Sequence, residues 1–229
     1  MPTVYSSMKL WTYYANILKG MPPNGTIFDS DHAIALAFGR NSIPDYNLPS
    51  ICRTFHDTYH ASDLPMIQHL NDQEFDPGKP NRHIAQFIGY YIEKCHKPVF
   101  AQWELTVALS QMCKKGWVAS AIEEKKLVCL WPHADIKGYH SFHVLDDADA
   151  YQYHEGQKQY NRPLLLAHDL HMPRVYMLAR HIWINPIVGF ESITRSFDPK
   201  SVQKMTTSHA RWYMYESCER VHHVINRLV

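Results

Sequence analysis

PLLLAHDLHMPRVYMLAR, residues 163–180, is the stretch that sets the architecture of this chain. An apolar run, Leu164-Leu165-Leu166-Ala167, gives way at once to His168, Asp169 and His171. Pro173 and Arg174 then open a helical segment, in whose first turn proline is tolerated because its missing N–H would have no partner there. A short, wholly apolar strand feeding polar residues and then a helix marks a buried parallel strand. In open α/β sheets ligands sit just outside the carboxyl ends of such strands. One stretch therefore supplies both a fold class and a candidate site.

The same alternation runs through the rest of the chain. His32–Phe38 (HAIALAF), Lys97–Ala101 (KPVFA) and Leu127–Trp131 (LVCLW) read as further strands, and Ile182–Val188 as a weaker fifth. Helices are expected at Val4–Leu18, at Asn81–Cys95 with Asn81 as N-cap, at Trp103–Lys115 ended by Gly116, at Val144–Tyr160 and at Pro173–His181. In the final helix Ala210, Met214, Cys218, Val221, Ile225 and Leu228 recur at spacings of three and four, which predicts an apolar stripe. Glu216 and Arg220 are then expected to pair on the outside, with Thr206, Thr207 and Ser208 as N-cap candidates. The expected fold is α/β: a doubly wound, mainly parallel, Rossmann-like sheet with helices on both faces and an extra N-terminal helix. The pattern reads as a single domain over residues 1–229, with a helical extension at 1–25 and an irregular, proline-rich insertion or lid at 43–80.

The totals narrow the function classes. With 229 residues, 45% hydrophobic and 20% charged, the chain can bury a sizeable core. A formal net charge of +1 gives no global electrostatic case for nucleic acid or an acidic membrane. Five scattered cysteines without a CxxC favour reduced thiols over a disulfide framework or a cysteine zinc site. The first twenty residues lack a signal-peptide core, and no run approaches a membrane span, so a cytoplasmic location is the expectation. There is no GxSxG elbow to announce a nucleophile.

The candidate site residues lie at the expected strand ends. His168, Asp169, His171 and Arg174 follow the strand Leu164–Ala167. A guanidinium in a first helical turn can pair with a carboxylate or phosphate, and His171 can exchange a proton near neutrality. Arg174 can equally salt-bridge a neighbouring element, with His171 capping the loop. Gly39-Arg40-Asn41 follows the first strand as a ligand loop or an ordinary turn. Gln102 and Glu104 follow the second; that carboxylate suits a ribose hydroxyl or proton transfer, or stabilises its own helix start. His133, Asp135, His140 and His143 follow the third strand and, with His168, Asp169 and His171, make a histidine- and aspartate-rich rim open to zinc, without an HExxH spacing. The pairs His56–His60 and His222-His223 read as helix-surface residues.

LLLAHDLHMPRVYMLAR resembles the late strand–loop–helix signature of the YdcF/SanA-like family, with His171 and Arg174 on the family's His and Arg. HARWYMYESCERVHHVINRL is similar to the family's closing helix, and Glu104 falls where the family has a glutamate after its second strand. Gln102-Trp103 stands in place of the family's glycine-rich turn, and Ala167-His168 in place of its Thr-Ser. The resemblance implies a Rossmann-like fold and a site for a small anionic or adenosyl/nucleotide-like metabolite at the strand ends, without an assigned cofactor. Arg174 would hold the anion and His171, Glu104 and Asp169 would serve the chemistry, hydrolysis or group transfer. The bare residues leave two alternatives: a metal-dependent hydrolase on the histidine rim, and a non-catalytic regulatory or scaffold protein.

Overall fold

The computed structural model describes residues 23–41, 63–131, 141–154, 160–183, 185–189 and 195–225, excepting the side chains of 63, 142, 151–154 and 220–225. The expected helix at Val4–Leu18, His56, His60, His133 and His140 lie outside these residues, as does most of the 43–80 insertion.

Four strands form one all-parallel sheet: β1 (His32–Ala35), β2 (Val99–Gln102), β3 (Leu127–Leu130) and β4 (Pro163–Leu166), in the order β3-β2-β1-β4. Ala33 pairs with Val99 on one side and Leu164 on the other, so β1 is central. Every strand residue is buried, which explains why the strands are apolar apart from His32 at the start of β1 and Gln102 at the end of β2. The expected fifth strand reduces to one parallel bridge, Leu164 to Ile187, held by Leu165 N–H donating to the Ile187 carbonyl at 2.9 Å.

Helices cover both faces. After β1 come α1 (Asp63–Asp72) and α2 (Lys79–Cys95); after β2 come α3 (Trp103–Met112) and α4 (Trp117–Glu123). These pack on the Ala33, Ala35, Ala101 and Leu166 side of the sheet. Crossing back from β3 to β4, α5 (Ser141–His154) lies with α6 (Met172–Ile182) on the Ile34, Phe100, Val128 and Leu165 side. The chain closes with α7 (His209–Ile225). The sheet reverses direction of winding between β1 and β4, which makes the carboxyl edge there a topological switch point. Among the described residues no helix is long and apolar enough to cross a membrane.

Three expectations are corrected. The N-cap of α2 is Gly78, at φ 84°, and Asn81 sits inside the first turn with no exposed surface. Gly116 is the N-cap of α4, a helix the sequence pattern did not separate. On α7, Met214 is 73% exposed and Ala210 and Cys218 are also exposed, whereas Trp212 and Glu216 are buried. The apolar stripe therefore faces outward over these positions and Glu216 faces inward. The physical reason is that the surface facing α7 presents a buried cation, Arg174, and not an apolar groove.

Candidate functional site

Two loops leave the sheet at the switch point. Leu36 N–H still bonds to the Leu166 carbonyl at 2.8 Å, and beyond it the chains of β1 and β4 separate. The loop after β1, residues 36–41, is secured from below by Asn81. Its Oδ1 accepts from Phe38 N–H at 2.7 Å, and its Nδ2 donates to the carbonyls of Gly39 and Pro77. Gly39 adopts φ 71°, and a Cβ there would lie 2.3 Å from Thr206 Oγ1 and 2.9 Å from Ser201 Oγ. The close approach that Gly39 permits is thus made by the chain's own 201–206 segment. That segment also receives the rest of the loop: Val202 N–H and Ser201 Oγ bond to the Arg40 carbonyl, and Asn41 Nδ2 donates to Asp76 and Asp198.

On the β2 side, Arg40 Nη1 donates to Glu104 Oε1 at 3.1 Å and its guanidinium lies 5.6 Å from the Trp103 ring centre. Trp103 stacks on Trp131 and walls this end of the edge. Burial pushes the Glu104 carboxyl above the usual carboxylate range, and the Arg40 charge opposes the rise. Oε2 of Glu104 is buried without a hydrogen bond. Gln102 serves both sides: its Oε1 accepts from Ala37 N–H at 3.0 Å, and its side chain also hydrogen-bonds the Glu104 carboxyl.

On the β4 side the turn of 168–171 is closed by His171 N–H donating to the His168 carbonyl at 2.8 Å. His168 has no exposed surface. Its Nδ1 accepts from Leu170 N–H, which leaves Nε2 as the donor to the Ser196 carbonyl at 3.1 Å. Phe38 stacks on its ring at 3.8 Å, and Phe197 meets it edge-on. Both nitrogens are committed inside the fold. Desolvation holds the His168 pKa down, from 6.5 to about 4. The folded value lies below the unfolded one, so this contribution is complete above pH 6.5 and is lost as pH falls toward 4. The shift amounts to about 3 kcal/mol. Denaturant unfolding at pH 7 and pH 4 is expected to show a loss of this order in wild type, reduced in His168→Gln; equal losses in both would refute the assignment.

Asp169 accepts an ion pair from Arg195 at 2.7 Å, at the rim of the same turn. His171 and Arg174 point the other way, into a polar cluster. His171 Nε2 lies 2.8 Å from Ser141 Oγ and 3.1 Å from Arg174 Nη2. Arginine can only donate, so Nε2 is the acceptor and the imidazole is neutral with its proton on Nδ1. Arg174 Nε lies 3.3 Å from Glu216 and Nη1 lies 3.4 Å from Glu219. Its guanidinium also sits near the Trp212 and Tyr215 rings, at 5.7 Å and 5.5 Å. The carboxylates outweigh the cost of burial and hold the Arg174 pKa above its usual value. Trp212 walls the cluster, edge-on to His171, and fixes itself by donating to the Leu170 carbonyl.

The fold thus unites Arg40 with Glu104 at one end of the edge and His171 with Arg174 at the other. Of the histidines between β3 and α5 and at the start of α5, His143 is among the described residues and is half-buried; no group of three metal-ligating side chains occurs among those residues. Ser141, Glu216, Glu219 and Asn81 were not legible as site residues. Ser141 carried one faint signal, its place before an apolar helical segment. Comparison with known proteins gives no matching family model, no matching curated protein and no matching solved structure.

Proposed function

We propose that the chain binds a small adenosyl or nucleotide-like metabolite at the carboxyl edge of the sheet and carries out hydrolysis or group transfer on it. One observation carries the reading. Ser141, His171, Arg174 and Glu216, drawn from three helices and the turn after β4, meet at the topological switch point. Buried ionic groups are weak stabilisers compared with apolar packing, so a cluster of this kind at a switch point supports a role in chemistry.

Charge selects among the ligands. Arg174 is opposed by two carboxylates, Glu216 and Glu219, so with both ionised the cluster is net negative. A phosphate at Arg174 is disfavoured on that count, and a neutral or cationic group beside aromatic walls is favoured. Glu104 Oε2, buried without a hydrogen bond, suits the hydroxyl of a sugar ring.

A thermal-shift panel of adenosine, an adenosyl sulfonium, adenine nucleotides, sugar phosphates and zinc tests the reading on wild type and His171→Ala. At 100 times its dissociation constant a ligand adds about 2.7 kcal/mol of stability. Adenosine or the sulfonium is expected to raise the melting temperature of wild type and not of the variant. A response to sugar phosphates alone would replace this ligand class with an anionic one, and a response to zinc alone would favour a metal-dependent hydrolase. No response in folded protein would favour a regulatory or scaffold role.

A further inference from the structure

We propose that Ser141 and His171 form a nucleophile–base pair acting on a carboxylic ester, an inference that rests on the small-molecule site described above. The 2.8 Å contact between Ser141 Oγ and His171 Nε2 joins groups thirty residues apart, from the start of α5 and the turn before α6. Geometry of this kind defines a nucleophile and its base. Ser141 is only partly buried, whereas His171 is 5% exposed, so the hydroxyl can face a substrate while its base is held from behind.

The surroundings suit the step. The lone pair of His171 Nε2 that would take the Ser141 proton also accepts from Arg174 Nη2, so the transfer requires Arg174 to give up that bond. Arg174 alone would oppose an imidazolium, but Glu216 and Glu219 reverse the local sign, so proton gain at His171 is electrostatically supported. The same negative cluster disfavours a phosphate ester and favours a neutral carbonyl.

In the first half, Ser141 Oγ bonds to the ester carbonyl carbon while Nε2 takes the hydroxyl proton. The carbonyl electron pair moves onto oxygen. It returns as the bond to the alcohol breaks, and the alcohol leaves with the proton from Nε2. In the second half, water attacks the acyl-serine and gives a proton to Nε2. The carboxylic acid departs and Ser141 recovers its proton. The net reaction is ester plus water to acid plus alcohol.

The test is labelling of the full chain with a fluorophosphonate, followed by intact mass and peptide mapping. Wild type is expected to gain one adduct on Ser141. Ser141→Ala is expected to gain none, and His171→Gln to react at least 100-fold more slowly, each with an unfolding transition that confirms a folded protein. Glu216→Gln tests the charge argument, since Arg174, Glu219 and Tyr215 are the other groups facing this corner. The pH midpoint for its labelling rate is expected to fall below that of wild type. Absence of an adduct, or an adduct on another serine, overturns the proposal. Ligand stabilisation of a wild type that does not label would overturn the pair and leave the binding site standing. Labelling at Ser141 without any adenosyl response would uphold the pair and overturn the ligand class.

Discussion

Arg174→Ala is expected to destabilise the fold by about 3–5 kcal/mol, the cost of stripping one partner from a buried ionic cluster. The guanidinium is the cation that faces Glu216, a residue with no exposed surface, and it donates to His171 as well. Without it a carboxylate is left in the interior and His171 loses one of the contacts that orient it. Chemical denaturation of wild type and Arg174→Ala at one pH measures the difference as a shift in midpoint at unchanged slope. A loss below about 1 kcal/mol, the range of an exposed pair, would mean that Glu216 is solvated or neutral.

Asn81→Leu is the second large effect, about 3 kcal/mol, although no ligand role is assigned to this residue. Three backbone groups depend on its amide: Phe38 N–H and the Gly39 carbonyl in the loop after β1, and the Pro77 carbonyl just before α2. Leucine fills a similar volume but leaves all three buried and unsatisfied. The same denaturation measurement checks it, and Asn81→Asp separates the two halves of the amide, keeping the acceptor for Phe38 and losing the donors. If Asn81→Leu unfolds at the wild-type midpoint, the loop is held by the 201–206 segment alone.

These two side chains also show where sequence reading succeeds and stops. The four strands are legible because each is buried on both faces, so that polar residues, His32 and Gln102, stand only at an end of β1 and of β2. Helix positions were legible from spacing, but the covered face of α7 was not. Periodicity finds a stripe by hydrophobicity, and here the packed positions are Trp212 and Glu216 because the opposing surface carries Arg174. Asn81 looked like an N-cap because asparagine is favoured there; Gly78, at positive φ, starts the helix two residues before Pro80, and frees Asn81 to bond outward.

The candidate site was legible in its parts and not in its pairings. Arg40 and Glu104 are 64 residues apart in sequence, and their ion pair follows from β1 and β2 lying side by side. Gly39 was marked by its place after β1, yet what approaches it is Thr206, a contact set by the C-terminal segment. Ser141 carried no motif, since a nucleophile elbow is only one way to present a hydroxyl. Its partner is supplied by the winding of β3 to α5 to β4, which no local pattern encodes.

The most direct test of the central claim, that the switch-point cluster is a ligand site, is titration calorimetry of an adenosyl sulfonium into wild type and His171→Ala. The account predicts one site per chain in wild type and at least tenfold weaker binding in the folded variant, about 1.4 kcal/mol or more. Equal binding by both proteins, or no heat with wild type, would contradict it.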